Sequence, residues 1–386
     1  MRPSPSDPSR SGAIAAAIAC VAIVGIGISL TVPLLSLEMD RMGISRGLIG
    51  ANTAVAGVAS ILVVPFVPRL AMRFPVLPLL WACVAVATLS LIAFKLLPGL
   101  AWWFAIRFVF SAAIGVLFVL SEFWINTAAP PARRGFVMGV YATVLALGLA
   151  AGPFILAATG ASGWPPYLAG AVLFALAAVP LLFVGNVSPA VERGTGRTVL
   201  SFLAAAPAAT LAALVFGALE TAAYALLPIY GLAAGFTVER AALLVSAVAL
   251  GNVACQIPLG LLSDRVDRRA VLLGAGLCGA LGAAILPALT GSFAWLSATL
   301  FFWGGLTGAL YTVGLAHLGA RFTGRDLVSA NAAFVLLYNV GLVLGPPVAG
   351  LAMDLAPPQG FAAALAGFCI LYVAVVGGRL LRPGQS

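Results

Sequence analysis

Three ionisable residues stand inside or at the end of long apolar runs of this sequence: Arg107, Glu122 and Glu220. A charged side chain at the centre of a bilayer costs about 2.5–3.5 kcal/mol on insertion scales, so one retained there needs a job. Glu220 is followed by Tyr224 and Pro228 at successive i+4 steps, which puts all three on one helical face. A carboxylate on such a face can bind a coupling proton or the cationic part of a solute. It can equally be a structural group hydrogen-bonded to a neighbouring helix. Arg107 has Ser111 and Gly115 on its own stripe, a small polar surface beside the guanidinium. The competing reading is that its long side chain snorkels to the outer interface. Glu122 lies fifteen residues further on, about 22 Å along a helix and within about 60° of the face of Arg107.

The elements that carry these residues follow from composition. The chain has 386 residues, 62% hydrophobic and 8% charged, against roughly 25% charged in a soluble domain. Too few charges remain to cover a water-facing surface, so lipid is the main solvent. A bilayer span takes about 20 apolar residues, and its backbone groups must be satisfied within the segment, which makes it a helix. Apolar runs separated by polar breaks give twelve spans, near 12–37, 47–68, 75–95, 100–125, 135–158, 165–185, 205–232, 240–262, 269–290, 293–317, 327–350 and 359–380. This is an all-α membrane protein, with no length left for a soluble domain. Fifteen basic residues, from Arg2 and Arg10 through Arg379 and Arg382, then fall on one side. Arg41, Arg46, Lys95 and Arg240 fall on the other. The excess of positive charge predicts cytoplasmic termini in an inner (plasma) membrane protein, and it accounts for the net charge of +9 without nucleic acid. The basic N-terminus and first apolar run are expected to be a first helix, since the run is too long for a signal core.

The sequence repeats itself. GLAAGP at 148–153 matches GLVLGP at 341–346 at an offset of 193 residues, pairing Gly148, Gly152 and Pro153 with Gly341, Gly345 and Pro346. Small residues four apart let helix backbones approach closely in lipid, and the proline adds a bend. Two copies in the fifth span of each half argue for duplication: six helices in 1–185, a polar cytoplasmic linker at 186–204, and six helices in 205–386. Parallel six-helix repeats with a site at their interface are the plan of the major facilitator superfamily.

Local motifs resemble the same superfamily. GLLSDRVDRR at 260–269 resembles its signature loop in Gly260, Asp264, Arg265, Arg268 and Arg269, with Asp267 where glycine is usual. The resemblance implies a cytoplasmic latch, for which a tight turn presents an acid and several arginines beside helix ends. The first-half counterpart, PRLAMRFP at 68–75, keeps Arg69 and Arg73 but has no acid. RFVFSAAIGVLFVLSEFWIN, from Arg107 to Asn126, is similar to the YcaD-like branch, as are QIPLGLLSDR at 256–265 and LYTVGLAHLGARF at 310–322. GLAAGP also resembles the fifth-helix motif of drug–proton antiporters, though Leu156 and Ala157 replace a glycine pair.

This likeness implies that the seventh span lines a central cavity and that Arg107 faces solute or takes part in coupling. Glu122 is expected to act at a cytoplasmic gate by pairing with Arg265, Arg268 or Arg269; the simpler alternative pairs it with Arg133 or Arg134. Tyr224, Trp303 and Tyr311 are candidate cavity aromatics, and packing or interface roles remain open for them. His317, the single histidine, reads as an interfacial hydrogen-bonder.

The absences narrow the classes. Lys95, the single lysine, is followed by leucine, so there is no phosphate-binding G-x-x-x-x-G-K-[ST] loop. No metal-ligand or Ser/His/Asp pattern appears, so neither a cofactor nor enzymatic catalysis is expected. Cys20, Cys83, Cys255, Cys278 and Cys369 all sit within spans, as small apolar packing residues. The expected protein is a monomeric secondary transporter of a small organic solute, with export against protons first and proton-linked uptake or facilitated diffusion second. A transport-inactive receptor on the same scaffold is the alternative of another class.

Overall fold

The computed structural model describes residues 8–128, 134–183, 206–322 and 324–380. The chain folds into α1 Pro8–Arg41, α2 Arg46–Arg73, α3 Val76–Leu96, α4 Leu100–Ala128, α5 Arg134–Thr159 and α6 Pro165–Phe183. It continues through α7 Pro207–Ala233, α8 Val238–Arg265, α9 Arg268–Leu289, α10 Phe293–Arg321, α11 Gly324–Leu355 and α12 Gln359–Leu380. Each expected span is present. Several run further than their apolar stretch: α11 continues past 350 through Asp354 and stops just before Pro357 and Pro358, where the residue preceding a proline is turned out of helical geometry. The expected linker at 186–204 lies outside the described residues, as does Arg133.

Two compact units emerge. One combines α1 as far as Leu34 with the chain from Val58 through α6; the other combines the hairpin Leu35–Gly57 with α7–α12. In the first unit α1 lies on α5 at the glycine motif. A β-carbon at Gly148 would meet the backbone of Gly25 at 3.1 Å, and one at Gly152 would overlap Ser29. The Ser29 hydroxyl donates to the Gly148 carbonyl (2.8 Å) and accepts from the Gly152 amide (3.1 Å). It therefore sits between two groups that an uninterrupted helix pairs directly, one residue before Pro153, and a side chain inserted there is a recognised cause of helix bending. In the second unit α7 lies on α11 at the equivalent place, with Gly341 against the Leu214 carbonyl, Gly345 against the Ala218 backbone and Gly217 against the Tyr338 carbonyl.

The turns repeat as well. Gly43 and Gly235, 192 residues apart, take φ of 73° and 86° after α1 and α7. Ile44 and Phe236 then donate back to the carbonyls of Met39 and Gly231. Both are glycine-terminated helix ends that need the left-handed conformation. Ser45 and Thr237 follow as side-chain caps for α2 and α8.

Candidate functional site

In the second unit α7, α8 and α10 enclose a tight recess lined by Phe216, Glu220 and Tyr224, by Asn252, and by Trp303 and Thr307. The recess is narrow because α8 and α10 meet through glycines. Gly251 abuts the Phe301 carbonyl, Gly304 abuts Val248, and Gly308 abuts the Asn252 side chain.

Glu220 is half-buried at mid-helix, and its Oε2 accepts a hydrogen bond of 2.7 Å from the Tyr338 hydroxyl of α11. Tyr338 is in turn framed by rings, stacked with Phe216 at 6.1 Å and edge-on to Tyr311 at 5.5 Å. Tyr311 also stands edge-on to Phe334, at 5.2 Å. A phenol held in an aromatic frame has few alternative rotamers, so it is a fixed donor for the carboxylate.

The other candidates fall out as follows. Tyr224 is buried and lines the recess beside Glu220. Trp303 lines it too, but its indole nitrogen donates to the Gly279 carbonyl at 2.9 Å, which ties α10 to α9. Tyr311 reaches the site through Tyr338. Arg107 is 1% exposed and donates to the Thr31 hydroxyl of α1 at 3.5 Å. Its guanidinium is enclosed by protein, so snorkelling to the membrane surface does not describe it. Ser111, a turn further along α4, is partly exposed.

Glu122 is exposed near the far end of α4, next to a buried Ser121–Tyr141 hydrogen bond of 3.0 Å that joins α4 to α5. In the 260–269 loop Asp264 accepts from Arg268 at 3.2 Å, and Arg265 is exposed. Asp267 caps α9 by accepting from the Arg269 amide at 3.0 Å, with φ of −53°. No left-handed residue is needed there, so aspartate can replace the family's glycine and supply a cap. Sequence reading missed Tyr338, Asn252 and Thr307. The one signal for Tyr338 was its place three residues before Gly341 in the repeated motif. Among the described residues no group of three or more metal-ligating side chains exists.

Twelve apolar helices, a doubled helix-packing motif and a framed carboxylate on α7 define a polytopic transporter fold. The Major Facilitator Superfamily profile matches the chain twice, over residues 17–244 and 209–385, and the chain belongs to that family. It is 26% identical over 340 residues to the uncharacterized MFS-type transporter YfkF of Bacillus subtilis, covering 86% of this chain and 87% of that one. It is 27% identical over 272 residues to the uncharacterized MFS-type transporter YcaD of Shigella flexneri, covering 67% of each. Among solved structures, the inward-facing, unoccupied bacterial homologue of the human lysosomal transporter Spinster superposes with a TM-score of 0.80. The identity is 14%, and 99% of each chain is covered. The nucleoside transporter NupG superposes at 0.79 with 12% identity, covering 97% of this chain and 100% of that one. At these identities the likeness is one of fold.

Proposed function

We propose that the protein is a proton-coupled carrier that exports a small organic solute by alternating access, with Glu220 as the proton site. The observation that carries this is the contact of Glu220 with Tyr338, in which a carboxylate at the middle of α7 accepts from a neutral donor and, among the described residues, forms no ion pair. A carboxylate with a guanidinium beside it would stay locked in the charged form; one facing a phenol can exist charged or neutral, as coupling requires. Relatives named as transporters support the class, and the resemblance of GLAAGP to the antiporter motif supports the direction. In this reading Arg107 faces solute or takes part in coupling, the Asp264–Arg269 loop and Glu122 form the cytoplasmic gate, and both termini are cytoplasmic. Residues 1–185 and 205–386 are the two six-helix bundles.

The test uses protein in liposomes holding an internal pH dye, challenged with a mixed panel of solutes. Solute-dependent proton movement in the parent protein that is lost in Glu220→Gln is the expected result. Proton movement that survives in Glu220→Gln would remove Glu220 from the coupling step. Proton flow in the same direction as the solute would replace export by uptake.

A further inference from the structure

The hairpin Leu35–Gly57 and α11 make a contact that the repeated architecture does not require. α8 begins with its own acid, Glu239, in its first turn, whereas the first turn of α2 has none and reads Arg46-Gly47-Leu48. The missing charge comes from α11. Asp354 Oδ1 accepts from the Arg46 amide at 3.1 Å and Oδ2 accepts from the Gly47 amide at 2.8 Å, with the Arg46 guanidinium 3.9 Å away. Asp40, at the end of α1, lies within electrostatic reach of both Arg46 and Asp354. A carboxylate on two unsatisfied amides at a helix start is both cap and counter-charge. Here it is supplied from a helix about 300 residues away.

The seam below this cap is close along its length. Gly350 abuts the Arg46 carbonyl, Gly50 abuts the Pro346 carbonyl, and Gly57 packs on Val343 and the Asn339 carbonyl. From Arg46 to Gly57 and from Asp354 back to Val343 the two helices run together for about 16 Å. Counted at the offset of the repeat, Asp354 corresponds to Ala161, which has no carboxylate. By the distribution of basic residues the Asp354 cap lies at the outer end of the helices.

We propose that Asp354, seated on the start of α2, is an outer latch that closes the α2–α11 seam and must release it when the carrier opens outward. The proposal rests on the alternating-access reading but not on Glu220. It commits no proton and no solute, so its test needs neither.

The five cysteines are replaced by alanine and Val343→Cys is introduced as a reporter inside the seam. Labelling by a membrane-impermeant maleimide is then timed from outside intact cells. Slow labelling is expected with Asp354 in place, and labelling about tenfold faster in Asp354→Asn, the loss expected for a charged cap. Gly350→Val, which wedges α11 from the Arg46 carbonyl and leaves the carboxylate intact, should accelerate labelling too. Where only one of the two variants elutes as a single species from a sizing column, that variant decides. Folded variants labelling at the parent rate overturn the latch. So does rapid deuterium exchange of the Arg46 and Gly47 amides in the unsubstituted protein. Faster labelling of the variants together with proton movement that survives in Glu220→Gln would sustain the latch while refuting the proton site.

Discussion

Glu220 and Tyr338 divide what an isolated sequence can reveal at the scale of the residue. A glutamate in an apolar run is conspicuous because its insertion is costly, and the same reasoning singled out Arg107. Tyrosine carries no such cost, so Tyr338 was marked only by its place before the repeated glycine. Its meaning depends on the register of α11 against α7, which brings it to 2.7 Å from a carboxylate 118 positions away. A hydrogen bond to a charged group is worth about 1.5–3 kcal/mol. Tyr338→Phe should therefore reduce proton-coupled flux by about tenfold or more, while solute exchange without a gradient is largely kept. The comparison of gradient-driven flux with equilibrium exchange in liposomes checks it. Equal loss in both would make Tyr338 a packing residue. For Arg107 the expectation differs. At 1% exposure its side chain fills buried volume, and shortening it leaves a cavity, although Thr31 keeps its bond to the Gly27 carbonyl. Arg107→Ala should cost the fold about 2–5 kcal/mol through that cavity, read as early thermal aggregation in detergent, whereas Arg107→Lys keeps the charge and part of the volume.

Helix packing was legible at the scale of the element wherever the repeat was literal. GLAAGP and GLVLGP share enough letters to be found, and each proves to be the place where one helix backbone lies on another. The repeated turn escaped notice because its copies, Met42–Ser45 and Ala234–Thr237, share only the glycine. What is preserved is chemistry, a left-handed residue followed by a hydroxyl cap. The two motif copies also differ in a way that letters hide. Ser29 bridges Gly148 and Gly152, whereas the residue of α7 that meets Gly345 is Ala218, which has no hydroxyl. Ser29→Ala removes the bridge yet lets the Gly152 amide return to its own helical carbonyl, so its stability cost should stay below about 1 kcal/mol. Gly341→Leu has no such escape, because its β-carbon would overlap the Leu214 carbonyl. Overpacking there should cost about 1–3 kcal/mol or more. Thermal melts of the two variants in the same detergent give the ranking; an equal shift would contradict the packing argument.

Charge is the property that orients the whole molecule, and the structure separates two uses of it. Four of the basic residues assigned to the cytoplasmic side engage their sequence neighbours: Arg69 lies over Phe66, Arg73 over Phe74, Arg321 over Phe322, and Arg268 on Asp264. Three of the four assigned outside, which the positive-inside rule disfavours, engage partners in other helices. Lys95 of α3 lies 5.9 Å over the Tyr167 ring of α6, Arg240 of α8 lies 5.7 Å over Phe293 of α10, and Arg46 stands at Asp354. Those three outer cations are thus held by tertiary contacts, a use of charge separate from the bias that predicts topology. The twelve helices and the charge bias were readable from sequence because both are properties of composition; which helix each outer cation holds was not, because that depends on tertiary neighbours. If this division is right, replacing Lys95 or Arg240 by glutamine should lower thermal stability by about 0.5–1 kcal/mol and leave orientation unchanged. A fluorescent protein fused after residue 386 should be fluorescent in these variants and in the parent, and alkaline phosphatase fused there should be inactive. Active phosphatase at that position would invert the assignment of sides, and with it the outer placement of the Asp354 seam.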